Sequence, residues 1–180
     1  MLRPGELFIV PGYPVRALSQ ADIPPLQAFY EACADYSLLV DGYLPRPGAA
    51  VSLLTERPPE KSVDDKLLVG IYLPPNTLVG VLDVVKDYPM VADWWIGLLL
   101  LAPQYRGKGL GHKIFQSFRK WVIQYGAKKI LLGVVETNEN AVRFWQSEGF
   151  IELERQPGKI GDLSHIVITM EHEVHEAGID

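Results

Sequence analysis

The sequence predicts an α/β fold, a single domain built on a mixed, mostly antiparallel sheet of six to seven strands with helices on both faces. Three observations predict it. Apolar runs of strand length recur at residues 66–73, 77–85, 93–101 and 130–135. Helix-period segments follow two of these runs, one after residue 109 and one after Asn138. At 180 residues, 48% hydrophobic and 22% charged, the chain suits one domain with a sizeable core and is too short for two comfortable ones.

Taken in order, residues 15–18 read as a short first strand. Asp22 then caps a helix whose Pro24 and Pro25 sit in the permissive first turn. Leu26, Phe29, Tyr30, Cys33 and the run 36–40 continue it as one apolar stripe, which Asp41-Gly42 ends. Residues 44–65 are rich in Pro, Gly and charge, with a short helix expected at 49–56. The runs 66–73 and 77–85, separated by Pro74-Pro75-Asn76, form an antiparallel hairpin, and 93–101 supplies the next strand. Leu110, Ile114, Phe118, Trp121, Val122 and Tyr125 fall on one face of the following helix, and Gly126 is its C-cap. Strands at 130–135, 150–155 and 164–171, with a short helix from Asn138, complete the pattern. The whole chain, 1–180, is expected to be one domain: an N-terminal strand and helices at 1–65, a sheet core at 66–172, and a tail at 173–180. No internal repeat interrupts it.

Composition excludes several classes. A net charge of −5 argues against nucleic acid or an anionic membrane as partner, because both reward clustered Lys and Arg. Arg106, Lys108, Lys113, Arg119 and Lys120 are the one basic concentration. Cys33 is the only cysteine, so neither an intramolecular disulfide nor a cysteine metal cluster is possible. His112, His165, His172 and His175 are scattered without an HExxH pattern, and no metal is expected. The longest apolar run, 94–102, falls short of the ~20 residues of a membrane span. Residues 1–6 lack the apolar stretch of a signal peptide, so the expected location is cytoplasmic, as monomer or homodimer.

The most informative stretch is Gln104-Tyr105-Arg106-Gly107-Lys108-Gly109-Leu110-Gly111, a glycine-rich turn between an apolar strand and a helix. Gly107 and Gly109 let the backbone turn sharply and aim its N–H groups at a phosphate. The first turn of the helix adds unpaired donors and the positive end of its dipole. Two familiar phosphate loops fail here. The dinucleotide pattern G-x-G-x-x-G needs glycine where His112 stands, and the P-loop needs glycine at Ala102 and Ser or Thr at Gly109. Downstream, the strand ending at Val135 leads into Asn138-Glu139-Asn140-Ala141-Val142-Arg143-Phe144-Trp145-Gln146-Ser147-Glu148-Gly149-Phe150. There Asn138 caps a helix, Ala141, Phe144, Trp145 and Glu148 share one face, and Gly149 supplies the left-handed stop.

Together, Q-x-x-G-x-G after an apolar strand and the Asn, Ala, aromatic, Gly-Phe series resemble the two signatures of the GNAT N-acetyltransferase superfamily, over residues 66–172. The resemblance implies acetyl transfer from acetyl-CoA to an amine by direct attack on the thioester. It places the coenzyme on Gln104 to Gly111, on Asn138, Ala141, Phe144 and Trp145, and on backbone N–H groups around Leu99 and Leu101. Gly97 marks a bulge that admits the pantetheine arm, or it relieves crowding near Trp94 and Trp95. A base is needed because an alkylamine of pKa ~10.4 is almost wholly protonated at neutral pH. Asp93 and Glu136 are the candidates, with Asp83 a rival. Many family members carry tyrosine where Trp145 stands. Indole cannot protonate the departing thiolate, so Trp145 is expected to pack on the pantetheine or in the core. Tyr36, Tyr43, Tyr88 and Tyr105 are other possible donors. An enzyme acting on a small-molecule or protein amine is the leading reading, and a catalytically silent acyl-CoA sensor is the alternative.

Overall fold

The computed structural model describes residues 7–174, so the expectations for residues 1–6 and His175 lie outside the described residues. Twelve regular elements follow one another: β1 Val15–Ala17, α1 Ile23–Ala32, α2 Ala34–Val40, α3 Ala49–Thr55, β2 Lys66–Leu73, β3 Thr77–Lys86, β4 Asp93–Leu101, α4 Leu110–Gln124, β5 Lys129–Val135, α5 Glu139–Ser147, β6 Ile151–Ile160 and β7 Leu163–Glu173. The strands form one seven-stranded sheet in the order β1-β2-β3-β4-β5-β7-β6. Every neighbouring pair is antiparallel except β4 with β5. The predicted class and strand positions therefore hold.

Each sheet face carries its own core. On one, Ile114, Phe118 and Val122 of α4 and Trp145 of α5 pack against Val69, Leu82, Trp94, Ile130 and Ile168. The other buries Leu26 and Phe29 of α1, Cys33 and Ala50 of α3 against Leu68, Tyr72, Val81, Leu98 and Leu100. Trp94 is wholly buried and meets Phe118 and Trp121 edge-on at 6.0 and 5.6 Å between ring centroids. Edge-to-face contact is the favoured geometry for such rings. Among the described residues no helix is long and apolar enough to cross a membrane.

The first forty residues depart from expectation in two ways. Asp22 stands at the N-cap of α1 but makes no side-chain bond to it. Its Oδ2 instead accepts from the Ser19 N–H and hydroxyl, closing a box around a short 3-10 turn. The apolar stripe is not one helix. The chain breaks at Cys33 (φ −102°, ψ 29°) and restarts as α2, which turns Tyr36 and Val40 back toward the sheet centre.

β6 runs five residues past the expected end at Arg155, straight through Pro157. Proline is tolerated because β6 is the sheet's last strand and one side of it has no partner to lose. The longer β6–β7 hairpin reaches the end of α2. Asp162 donates its N–H to the Asp41 carbonyl at 2.8 Å, and His165 Nε2 lies 2.8 Å from the Val40 carbonyl. Gly161 makes this approach possible. Its φ is +57°, and a Cβ there would stand 2.3 Å from the Asp41 carbonyl oxygen.

Candidate active site

The site begins with a defect in β4. Against β3, Asp83 pairs with Leu98 and Val84 with Ile96, leaving Gly97 as the extra residue of a bulge. A bulge reverses which face each later side chain meets. Trp94 and Ile96 accordingly belong to the α4 core, whereas Leu98 and Leu100 belong to the α1 core. On its other side β4 pairs with β5 only from Asp93 to Ile96. Beyond that point β5 continues to Val135 against β7 alone. The two central parallel strands thus splay apart from the bulge onward.

Backbone donors face the gap. Ala102 gives its N–H to the Val79 carbonyl at 2.9 Å, and an antiparallel ladder alternates. Leu98 and Leu100 therefore bond to β3, while Leu99 and Leu101 direct their amides toward the side that β5 has left. The Leu101 carbonyl points there too, because it accepts from Arg106 Nε at 2.8 Å.

At the end of the splay lies the glycine turn. Pro103–Tyr105 forms a 3-10 turn, Gly107 and Gly109 adopt φ +69° and +79°, and α4 starts at Leu110. Nothing lies within 4 Å of a Cβ built on either glycine. Both are needed for their backbone angles, which turn successive N–H groups to one side, and not for space. Gly111 differs: its Cβ position is 3.3 Å from the Phe144 ring, so it sets how closely α5 approaches α4. Arg106, expected beside the phosphate, has another engagement. Its guanidinium binds both carboxylate oxygens of Asp35 on α2. The Arg106 hydrogen bond in turn holds the Asp35 carboxyl below its ordinary value.

Opposite the turn, Asn138 Oδ1 accepts from the Ala141 N–H at 3.3 Å and caps α5. Trp145 is 6% exposed and packs edge-on against Phe115, Phe144 and Phe150. Asn138, Ala141 and Trp145 all border a cavity of about 410 Å³ that fills the splay.

The far wall of this cavity comes from α1, α2 and α3. Tyr30, Tyr36, Asp41 and Leu53 face Trp95, Gly97 and Leu99 across it, with Ile160 and Val167 of the long hairpin alongside. Asp41 is the one lining side chain that carries a formal charge at neutral pH. Burial pushes its carboxyl up, against the pull of Arg46 and His165. Tyr36 is pushed up to about 12, first by burial and then by Asp41. Tyr30 is pushed up further, by burial first and then by Tyr36, Asp83 and Asp41. Both phenols stay protonated, as hydrogen-bond donors.

The other tyrosines do not border the cavity: Arg46 stacks on Tyr43 at 3.7 Å, Tyr88 meets Trp95 edge-on at 5.8 Å, and Tyr105 packs between the two cores. Tyr30 and Asp41 escaped the sequence reading, because the first looked like one more apolar-stripe residue and the second like a helix stop. Only Asp41 is brought there by the break at Cys33, since Tyr30 lies on α1 ahead of it.

Neither expected base borders the cavity. Asp93 lies at the far end of β4, where burial raises its carboxyl and Lys129 opposes the shift. Glu136 is half exposed and bonded to Arg155. Asp83 does not line the cavity either but lies against its wall: a Cβ on Gly97 would stand 2.9 Å from its Oδ2. Among the described residues no three His, Cys, Asp or Glu side chains converge as a metal site. A second hollow of about 660 Å³, bordered by Tyr13, Val15, Leu67 and Trp121, shares no lining residue with the first.

Comparison with known proteins agrees with this geometry. Residues 26–150 match the acetyltransferase (GNAT) family. Over 57 residues the chain is 33% identical to a spermine/spermidine N(1)-acetyltransferase of Bacillus subtilis strain 168, covering 31% of this chain and 38% of that protein. A probable spermine N(1)-acetyltransferase of Bacillus subtilis subsp. natto matches to the same extent. The chain thus spans well under half the length of these relatives. Among solved structures, an acetyltransferase from Thermus thermophilus superposes with TM-score 0.74 at 21% identity, covering 91% of this chain and 98% of that one. A spermidine N-acetyltransferase from Vibrio cholerae, solved with CoA and spermine, superposes with TM-score 0.71 at 15% identity, covering 91% and 96%. At these identities the likeness is one of fold.

Proposed function

Because this chain belongs to the GNAT acetyltransferase family, we propose that it moves an acetyl group from acetyl-CoA to an amine by direct attack within a ternary complex. The observation that carries the reading is the splay of β4 from β5, which joins the glycine turn at one end to a cavity with a separate acceptor wall at the other. A sheet parted at its centre suits a ligand that must lie between strands.

The turn fits a pyrophosphate: two left-handed glycines and a helix N-terminus supply converging N–H donors. Leu99 and Leu101 offer further amides to the pantetheine and the thioester. A backbone N–H aimed at the carbonyl oxygen stabilises the negative charge that develops there during attack. Asn138, Ala141 and Trp145 bound the opposite side, while Phe144, expected there too, packs against Gly111. Trp145 serves by packing. The thiolate of CoA, with a thiol pKa near ~8.5, leaves without an indole's help.

On the acceptor side the reading favours a cation. Asp41 supplies negative charge, and Tyr30, Tyr36 and Trp95 supply aromatic surface, the combination that attracts ammonium groups. The spermine and spermidine named for the Bacillus relatives are amines of this kind, and they are the first acceptors to try. Thiol release from acetyl-CoA against a panel of aliphatic amines, with the product identified by mass spectrometry, tests the proposal. Amine-dependent release supports it. Binding of CoA with no release across the panel favours the alternative, an acyl-CoA sensor with the same fold, to which the tryptophan at position 145 lends its one specific support.

A further inference from the structure

We infer that Asp83, presented by β3 and gripped by Lys66, is the base that takes the proton of the acceptor's ammonium group. The assignment rests on the transferase reading above. Three placements converge on it.

First, the carboxylate lies against the bulge. Gly97 borders the cavity, and its absent Cβ would stand 2.9 Å from Asp83 Oδ2. Asp83 does not itself line the cavity, but Gly97, which does, has no side chain to stand between them. Second, Lys66 Nζ lies 2.7 Å from each Asp83 carboxylate oxygen, at a point where Asp83 is 7% exposed. A buried ion pair contributes little net stability over well-packed apolar residues, so stability alone does not explain two charges inside the sheet. A desolvated carboxylate with a specific charge partner beside a cleft is a candidate for function. Third, Tyr30 borders the cavity, and its phenol feels the charges of Asp83 and Asp41.

The groups that set the basicity of Asp83 are few. Lys66 faces it from β2 and Tyr30 from α1, while its β4 neighbours Gly97 and Leu98 carry no charge. Burial raises the carboxyl and Lys66 opposes, with the net shift upward. An upward shift moves a carboxylate toward the range in which a general base works at neutral pH.

The step balances as follows. The ammonium group gives one proton to Asp83. The freed nitrogen bonds to the thioester carbonyl carbon, the C–S bond breaks, and its electron pair leaves on the CoA sulfur. The remaining excess proton on nitrogen passes to that sulfur, and Asp83 returns its own to solvent. One ammonium and one acetyl-CoA become one N-acetylamine, one CoA thiol and one proton.

The test uses the full chain, acetyl-CoA and whichever aliphatic amine the wild type acetylates fastest. Asp83→Asn leaves Lys66 buried without its counter-charge, so D83N/K66M is measured beside it, with folding checked by thermal melting. The expected result for both is a kcat lower by about a hundredfold or more at unchanged CoA affinity. Activity then recovers with rising pH as free amine accumulates, in place of the wild-type limb. Lys66→Met alone shifts that limb to higher pH, because the carboxylate loses its cation. A folded D83N/K66M with the wild-type kcat and pH profile overturns the assignment, as does a Lys66→Met limb that does not move. Wild type without amine-dependent thiol release overturns the transferase reading itself, an outcome distinct from a working enzyme indifferent to residue 83.

Discussion

The two ends of the β4–β5 splay are made of different material. On the proposed reading, the groups that would hold the coenzyme are backbone: N–H donors of the turn, the first turn of α4, and the amides of Leu99 and Leu101. At the proposed acceptor end they are side chains brought from distant parts of the chain: Tyr30, Tyr36 and Asp41 on the cavity wall and, behind the bulge, Asp83. A backbone site depends on φ and ψ and so on glycines at fixed spacing. A side-chain site depends on what packs where, which leaves no spacing to read.

Two glycines make the contrast measurable, and the first gives the largest expected effect. Gly109→Val places a β-branched residue at φ +79°, a strain of about 1–3 kcal/mol. CoA affinity measured by calorimetry should fall roughly tenfold to a hundredfold, with acceptor selectivity retained. Gly161→Ala is its counterpart at the acceptor end. The added methyl meets the Asp41 carbonyl at 2.3 Å, so the hairpin must shift. Acceptor KM should rise about tenfold, or roughly 1.4 kcal/mol, while CoA affinity stays put. If either substitution moved both constants equally, the two ends would not be independent.

A smaller effect sharpens the acceptor side. Asp41→Asn removes the charge of the cavity wall and should raise KM for cationic amines several-fold to tenfold, about 1 kcal/mol for a partly screened pair, with little change for a neutral-tailed amine. Asn138→Ala removes the cap of α5 and should cost about 1 kcal/mol of stability, read as a lower melting temperature. The smallest effect is the tie between the two ends. Arg106 depresses the Asp35 carboxyl. The pair therefore adds stability above the unfolded aspartate pKa and loses it as pH falls through the lower, folded value. The side chains are 34% and 59% exposed, so the contribution is about 1 kcal/mol or less. The melting difference between wild type and Asp35→Asn should be present at pH 7 and vanish in strong acid.

How much was legible follows the same division. The strands, the α4 and α5 helices, the bulge at Gly97 and the cap at Asn138 could be read because each rests on periodicity or on a residue with a narrow backbone role. The break at Cys33 was hidden, since apolar residues continue at helical spacing on both sides of it. The extension of β6 was hidden by Pro157, which reads as a breaker unless the strand is known to be an edge. Arg106 looked like a phosphate ligand because proximity in sequence says nothing of Asp35, 71 residues away. The choice among Asp93, Glu136 and Asp83 could not be made from strand ends alone. It depends on where each carboxylate sits relative to the splay: Asp93 is at the far end of β4, Glu136 is paired with Arg155, and Asp83 lies against Gly97.

The most direct test of the central claim is amine-dependent release of CoA thiol from acetyl-CoA by the purified wild-type chain. The account predicts release that saturates with a cationic amine, with one N-acetylated product formed per thiol. CoA binding by calorimetry with no amine-dependent release, across aliphatic, aromatic and peptide amines, would contradict it.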